Sequence, residues 1–168
     1  MPTTLHDLPE IEYLDGRPHR KMSPRLTHGR VQFALASAIA QAAGTRGVTV
    51  TEVRFAPDSS GASKTELVPD VAYISNERLA SLTDEQREKP PFSPDIAAEV
   101  RSPSDDLRHL QRKIARYLAT GAILVLDVDP SQRCIVAHAS DGVRRFSSDE
   151  AFNHPAAPWL QFEVASVF

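Results

Sequence analysis

Cysteine is almost missing from this chain. One residue, Cys134, among 168 leaves no internal disulfide framework and fits a reducing compartment, so a cytoplasmic protein is expected. Long hydrophobic runs are missing too. The longest, "GAILVLDV", is far too short to span a bilayer, and the opening "MPTTLHDLPE" lacks the basic region and apolar run of a leader, so no membrane association is expected. Nor is there a surplus of positive charge. The formal net charge of -3 and a pI near 6.1 give no vote for a general polyanion binder, although a local basic face on an acidic protein still meets nucleic acid. There is no GxGxxG, no P-loop and no GxSxG elbow, so nucleotide and acyl-transfer chemistries have no support. The six histidines show no HxxxH spacing. No internal repeat or low-complexity tract occurs.

What is present suits one well-filled core. At 41% hydrophobic residues, 168 positions are too few for two full domains, and a single domain over residues 1–168 is expected. "IEYLDGRPHRKMSP" predicts an N-terminal β-hairpin at the sheet's edge, turning at Asp15-Gly16. Val31, Leu35, Ala38, Ile39 and Ala42 recur at helical spacing between Thr27, a candidate N-cap, and Gly44, a stop. "VTVTEVRFAP" reads as a strand, "DSSGASKTE" as a polar loop, and "LVPDVAYIS" as a second strand. Thr83 is placed to cap a short helix before the strand "DIAAEVR".

The next helix has Ser102 as candidate cap, Pro103 at its first position, Asp105 and Asp106 at its positive end, and Gly121 as its stop. Its apolar stripe is Leu107, Leu110, Ile114, Tyr117 and Leu118. "AILVLDVDP", "RCIVAHA", "VRRFS" and "LQFEVASVF" follow as strands, with turns at Asp129-Pro130 and Asp141-Gly142. The fold class is therefore α/β (α+β): a mixed β-sheet core flanked by helices.

Two acids stand out. Period two in "DIAAEVR" puts Asp95, Ala97, Glu99 and Arg101 on one face and Ile96, Ala98 and Val100 on the other, so Glu99 faces away from the apolar run. Asp70 is the sole acid in a strand that otherwise wants burial. Carboxylates in a sheet lose hydration and need a cation, a metal or donors. On adjacent strands, these two would offer an oxygen-rich site to a hard divalent ion. Lys113 flanks the apolar stripe of its helix, from where its ammonium can point at Glu99. Spacing alone allows an equal structural reading, in which Asp70 and Glu99 are ion-pair partners of Arg101, Arg54 or Lys113. Arg101 at a strand end is most simply a salt-bridge partner, and His28 at a helix start a cap or polar contact.

The run "PDVAYIS", "ERLASLTDEQREKPPFSPD", "AAEVRSPSDDLRHLQRKIARYLATGAILVLDVDP", with "EYLDGRPHRKMSPRLTH" upstream and "PWLQFEVASVF" downstream, resembles the Uma family (Uma-two type) of restriction endonuclease-like proteins, within the PD-(D/E)XK nuclease superfamily. The resemblance covers nearly the whole chain and implies a restriction-endonuclease-like core, with Asp70 as the superfamily's Asp and Glu99 as its second acid. Arg101 holds the place where the superfamily has lysine. The resemblance implies that Lys113, on the next helix, supplies it instead. Arg17 stands where the family opening often has an acid, leaving Glu12 as the nearby accessory acid.

The expectation is a Mg²⁺- or Mn²⁺-dependent DNA endonuclease. Asp70, Glu99 and the Val100 carbonyl would hold the ion, Lys113 would assist catalysis, and His28 and Arg101 would touch phosphate. DNA is the expected partner and a homodimer the assembly to test. The alternative is a catalytically silent nuclease-fold binding module.

Overall fold

The computed structural model describes residues 11–21 and 23–168; the leader expectation for the first ten positions lies outside them. The hairpin forms as expected from β1 (Ile11–Leu14) and β2 (Arg17–Arg20). Asp15 and Gly16 both take positive φ, 51° and 75°, as a tight two-residue turn demands. At Gly16 a Cβ would lie 2.4 Å from the Ala62 carbonyl oxygen, so a side chain is excluded on both counts. The hairpin joins a four-stranded sheet in the order β2-β1-β5-β4, with β4 at Phe55–Asp58 and β5 at Thr65–Leu67.

The main sheet has six strands. Its order is β10-β9-β8-β7-β6-β3, where β3 is Gly47–Thr51, β6 Val71–Ser75, β7 Ile96–Val100, β8 Leu124–Asp129, β9 Cys134–Ala139 and β10 Gly142–Ser147. All neighbours are antiparallel except β7 and β8. That parallel pair requires a crossover, which α4 (Leu107–Ala119) supplies. One face of the sheet buries Ile96, Ala98 and Val100 in a core shared with Val31, Leu35 and Ile39 of α1 (Leu26–Ala43). Ala97 and Val125 face the other way, against Leu110, Ile114 and Tyr117 of α4 and Leu14 of the hairpin. The expected mixed sheet with flanking helices is the observed architecture, and the side on which Glu99 stands is the α4 side.

Between β6 and β7 lie α2 (Asn76–Ala80) and α3 (Asp84–Glu88), the latter closed by the expected Thr83 cap, with Gln86 completing a reciprocal box. After β10, β11 (Ala151–His154) and β12 (Ala157–Glu163) make a separate hairpin, and a 3-10 turn at Val164–Val167 packs with α1.

Several local expectations are corrected. α1 begins at Leu26 with Arg25 at the cap, so Thr27 lies inside the helix. "VTVTEVRFAP" is two strands, broken where Glu52 takes φ 56°. The polar "DSSGASKTE" holds the end of β4, a 3-10 turn and the start of β5. Ser102 does not cap α4. Its backbone closes a turn with Asp105, whose Oδ2 accepts the Ser102 N–H (2.6 Å) and whose N–H donates back to the Ser102 carbonyl (3.0 Å). With those groups spent, the helix starts at Leu107 under an Asp106 cap. "LQFEVASVF" leaves the strand after Glu163.

Candidate active site

Asp70 sits immediately before β6. The register Val71↔Ala98, continued by one residue, sets it opposite Glu99. Pro69 precedes it, and the Asp70 side chain turns back to the neighbouring strand: Oδ2 accepts the Val100 N–H at 2.7 Å. The same oxygen is 3.2 Å from His28 Nε2 on the first turn of α1, and Oδ1 is 2.9 Å from the Lys21 ammonium. Lys21 also donates to the Val68 carbonyl (2.8 Å) and Glu52 (2.6 Å).

Glu99 is held from α4. Its Oε1 accepts the Tyr117 hydroxyl at 2.8 Å and lies 2.8 Å from Lys113 Nζ. Lys113 and Tyr117 are one helical turn apart, so the two reach the same carboxylate together. The hairpin completes the group. Glu12, on β1, lies 3.0 Å from Lys113 Nζ through both its oxygens and accepts the Val68 N–H at 2.6 Å. Glu12, Lys21, His28, Asp70, Glu99 and Lys113 line one cavity of about 260 Å³.

The two central acids are biased in opposite directions. Burial works against an ionised Asp70, but the His28 hydrogen bond and the Lys21 charge outweigh it and hold the carboxyl well below the usual range. Burial also dominates at Glu99, where Asp70 and Glu12 add like charge and Lys113 opposes them, and its pKa is pushed up to about 7. Lys113 stays charged: burial alone would lower its pKa, yet Glu12 and Glu99 raise it above the ordinary lysine value. The hydrogen bond to Asp70 raises the His28 pKa. The two carboxyl groups are thus biased apart, Asp70 toward its anion and Glu99 toward its protonated form.

The structure brings together Asp70, Glu99, Val100, Lys113, His28 and Glu12, all of which line the cavity. Arg101 does not line this cavity, although it shares a second one with His28. Nε and Nη2 of Arg101 donate to Asp127 at 2.6 and 2.5 Å, and Nη1 reaches Asp129 at 3.3 Å. Sequence reading missed Lys21 and the Tyr117 hydroxyl. The only signal for either was Tyr117's place in the stripe of α4, where it reads as core.

Hard oxygen donors are available for a divalent ion: two carboxylates and the Val100 carbonyl, which in an extended strand leaves on the same side as the N–H that meets Asp70. Among the described residues no group of three or more His, Cys, Asp or Glu gathers as a metal cage. Oxygen donors of this kind are the ones a hard ion such as Mg²⁺ takes.

Comparison with known proteins agrees with this architecture. No curated protein matches the chain. Among solved structures, it is similar to "a putative nuclease belonging to DUF820" from Anabaena variabilis, with 19% identity, 95% of this chain and 90% of that chain covered, and a TM-score of 0.81. At that identity the likeness is one of fold. No helix among the described residues is long and apolar enough to cross a membrane. The family model "Uma2: Putative restriction endonuclease" matches residues 1–165, and the chain belongs to the Uma2 family.

Proposed function

We propose that the protein is a Mg²⁺- or Mn²⁺-dependent DNA endonuclease of the PD-(D/E)XK type, with Asp70 and Glu99 as the acids and Lys113 as the lysine. The observation that carries this reading is the delivery of the Lys113 ammonium from α4 to 2.8 Å from Glu99, opposite Asp70. Arg101, in the usual lysine position, is already committed to Asp127 and Asp129.

Asp70, Glu99 and the Val100 carbonyl would hold the ion, which when bound supplies a nucleophilic water and screens charge building on the phosphate. Lys113 donates hydrogen bonds to the attacking water or to the phosphoryl oxygen on which charge grows, an interaction stronger in the transition state than in the ground state. Glu12 fixes the Lys113 ammonium, and Tyr117 fixes one oxygen of Glu99. His28, hydrogen-bonded to Asp70, is near enough to the cavity to meet a phosphate oxygen. A homodimer would present two such cavities to the two strands of a duplex.

A second reading, a silent nuclease-fold binding module, is favoured by Lys21, whose ammonium already neutralises Asp70 at 2.9 Å. Calorimetric titration with Mn²⁺ and a cleavage panel of linear, circular and single-stranded DNA, with Mg²⁺, Mn²⁺ or chelator, separates the two. Metal uptake and metal-dependent cleavage, both lost in Asp70→Asn and Glu99→Gln, are expected. Neither uptake nor cleavage in the parent would leave the binding module.

A further inference from the structure

The cavity has two flanks of different electrical character. On one, β2 of the hairpin lies against α4, and the rings of His19 and His109 pack with centroids 3.9 Å apart. Arg20 lines the cavity there, and Arg17 and Arg112 are exposed beside the ring pair, with Arg112 Nη2 at 3.5 Å from His109 Nδ1. Among the described residues, two acids of this flank are paired: Glu12 is buried on Lys113, and Asp15 is paired with Arg116. Burial first, and then the proximity of His19, Lys113 and Arg112, depress His109 to about 4, and His19 is lowered by burial, Arg112, Lys113 and Arg17 against Glu12 alone. Among the described residues, the buried Nε2 of His19 has no hydrogen-bond partner. The exposed Arg17 and Arg112 guanidiniums and this unpartnered ring nitrogen form a local basic edge that an anion can meet.

The other flank lacks that surplus. It opens into a second cavity of about 480 Å³ lined by Arg25, His28, Arg101, Asp105 and Asp129, where Arg101 is bound to Asp127 and Asp129. Asp105 and Asp106 sit where the flanks meet, one closing the turn on Ser102 and the other capping α4.

We propose that the ridge made by β2 and the start of α4, with Arg17 and Arg112 beside the His19–His109 pair, is the surface along which a DNA phosphate backbone runs into the cavity. The proposal rests on the nuclease reading and adds to it a direction of approach. Backbone contacts of this kind are sequence-independent and release counterions, so each one lost lowers the salt dependence of binding by a known increment.

The test is fluorescence anisotropy of a short labelled duplex in chelator, so that hydrolysis contributes nothing, across a range of salt. Relative to the parent, the Arg17→Ala/Arg112→Ala double variant should reduce the slope of log K against log salt by about two. Arg112→Lys should keep the parent slope, and Arg25→Ala, on the opposite flank, should leave it unchanged. A slope unaltered in the double variant, or lowered only in Arg25→Ala, overturns the proposal. If the parent still cleaves DNA with Mg²⁺ in that case, the surface alone is wrong. If the parent neither binds nor cleaves DNA, the ridge and the nuclease reading fall together.

Discussion

Lys113 and Glu99 share one cavity wall, ammonium to carboxylate at 2.8 Å, although they belong to different elements. The lysine contacts Glu12 as well, so it stands between two acids rather than in a single ion pair. Replacing it therefore tests catalysis and electrostatics together. Lys113→Ala is expected to lower the cleavage rate by roughly 10²-fold or more, the usual effect of losing one transition-state donor. Mn²⁺ affinity, measured calorimetrically, should not fall, because the substitution removes a competing cation. A parallel loss of metal binding and rate would mean that Lys113 merely holds the acids in place.

The two acids should answer differently to conversion into amides. Because the pKa of Glu99 in the fold is raised to about 7 from 4.5, its contribution to stability is complete below the lower value and is lost as pH rises toward the upper one. Metal-free Glu99→Gln should therefore melt at or above the parent at pH 8, by up to roughly 2–3 kcal/mol, with the difference vanishing near pH 4.5. Lys113 keeps Glu12 as a partner in this variant. Asp70 has the opposite sign. Its depressed pKa contributes stability above the unfolded value of 3.8, so Asp70→Asn should cost roughly 3 kcal/mol at pH 8 by leaving buried partners unmatched. Thermal melts of the three proteins in chelator at both pH values check this; destabilisation of both amides to the same extent would contradict it.

Lys21 places an ammonium where Asp70 would meet a metal. Glu52, which carries a strained positive φ, offers that ammonium a second acceptor at 2.6 Å. Lys21→Met should accordingly tighten Mn²⁺ binding by roughly tenfold, about 1.4 kcal/mol. Weaker binding in this variant would instead make Lys21 a support for the Asp70 geometry.

Much of this was legible in the chain. Period two set Glu99 on the face opposite Ile96, Ala98 and Val100, and a helical wheel put Lys113 at the flank of its stripe, from where it could point at Glu99, because both patterns are local. Arg101 was ambiguous for a different reason. Its partners, Asp127 and Asp129, lie on the strand that pairs in parallel with β7, and nothing near Arg101 says which strand that will be. Lys21 gave no signal, since its contacts with Glu52 and Val68 span 31 and 47 positions. At α4 the Ser102-Pro103 pair looks like a helix start, but Asp105 competes for the same backbone groups and wins. Tyr117 was assigned by its ring to the core, where the ring indeed lies, while its hydroxyl serves Glu99.

The contact between Glu12 and Lys113 joins positions 101 apart. During synthesis, the hairpin that carries Glu12 leaves the ribosome long before the helix that neutralises it exists. Until then its carboxylate must stay hydrated, and the hairpin cannot settle against its final neighbours. β7 and α4, by contrast, are consecutive elements, and the Glu99–Lys113 contact needs only a short loop to close. The half of the cavity built by the crossover can assemble early, and the half built by the hairpin must wait for α4. The contact that holds the Lys113 ammonium from its second side thus forms later than the one to Glu99.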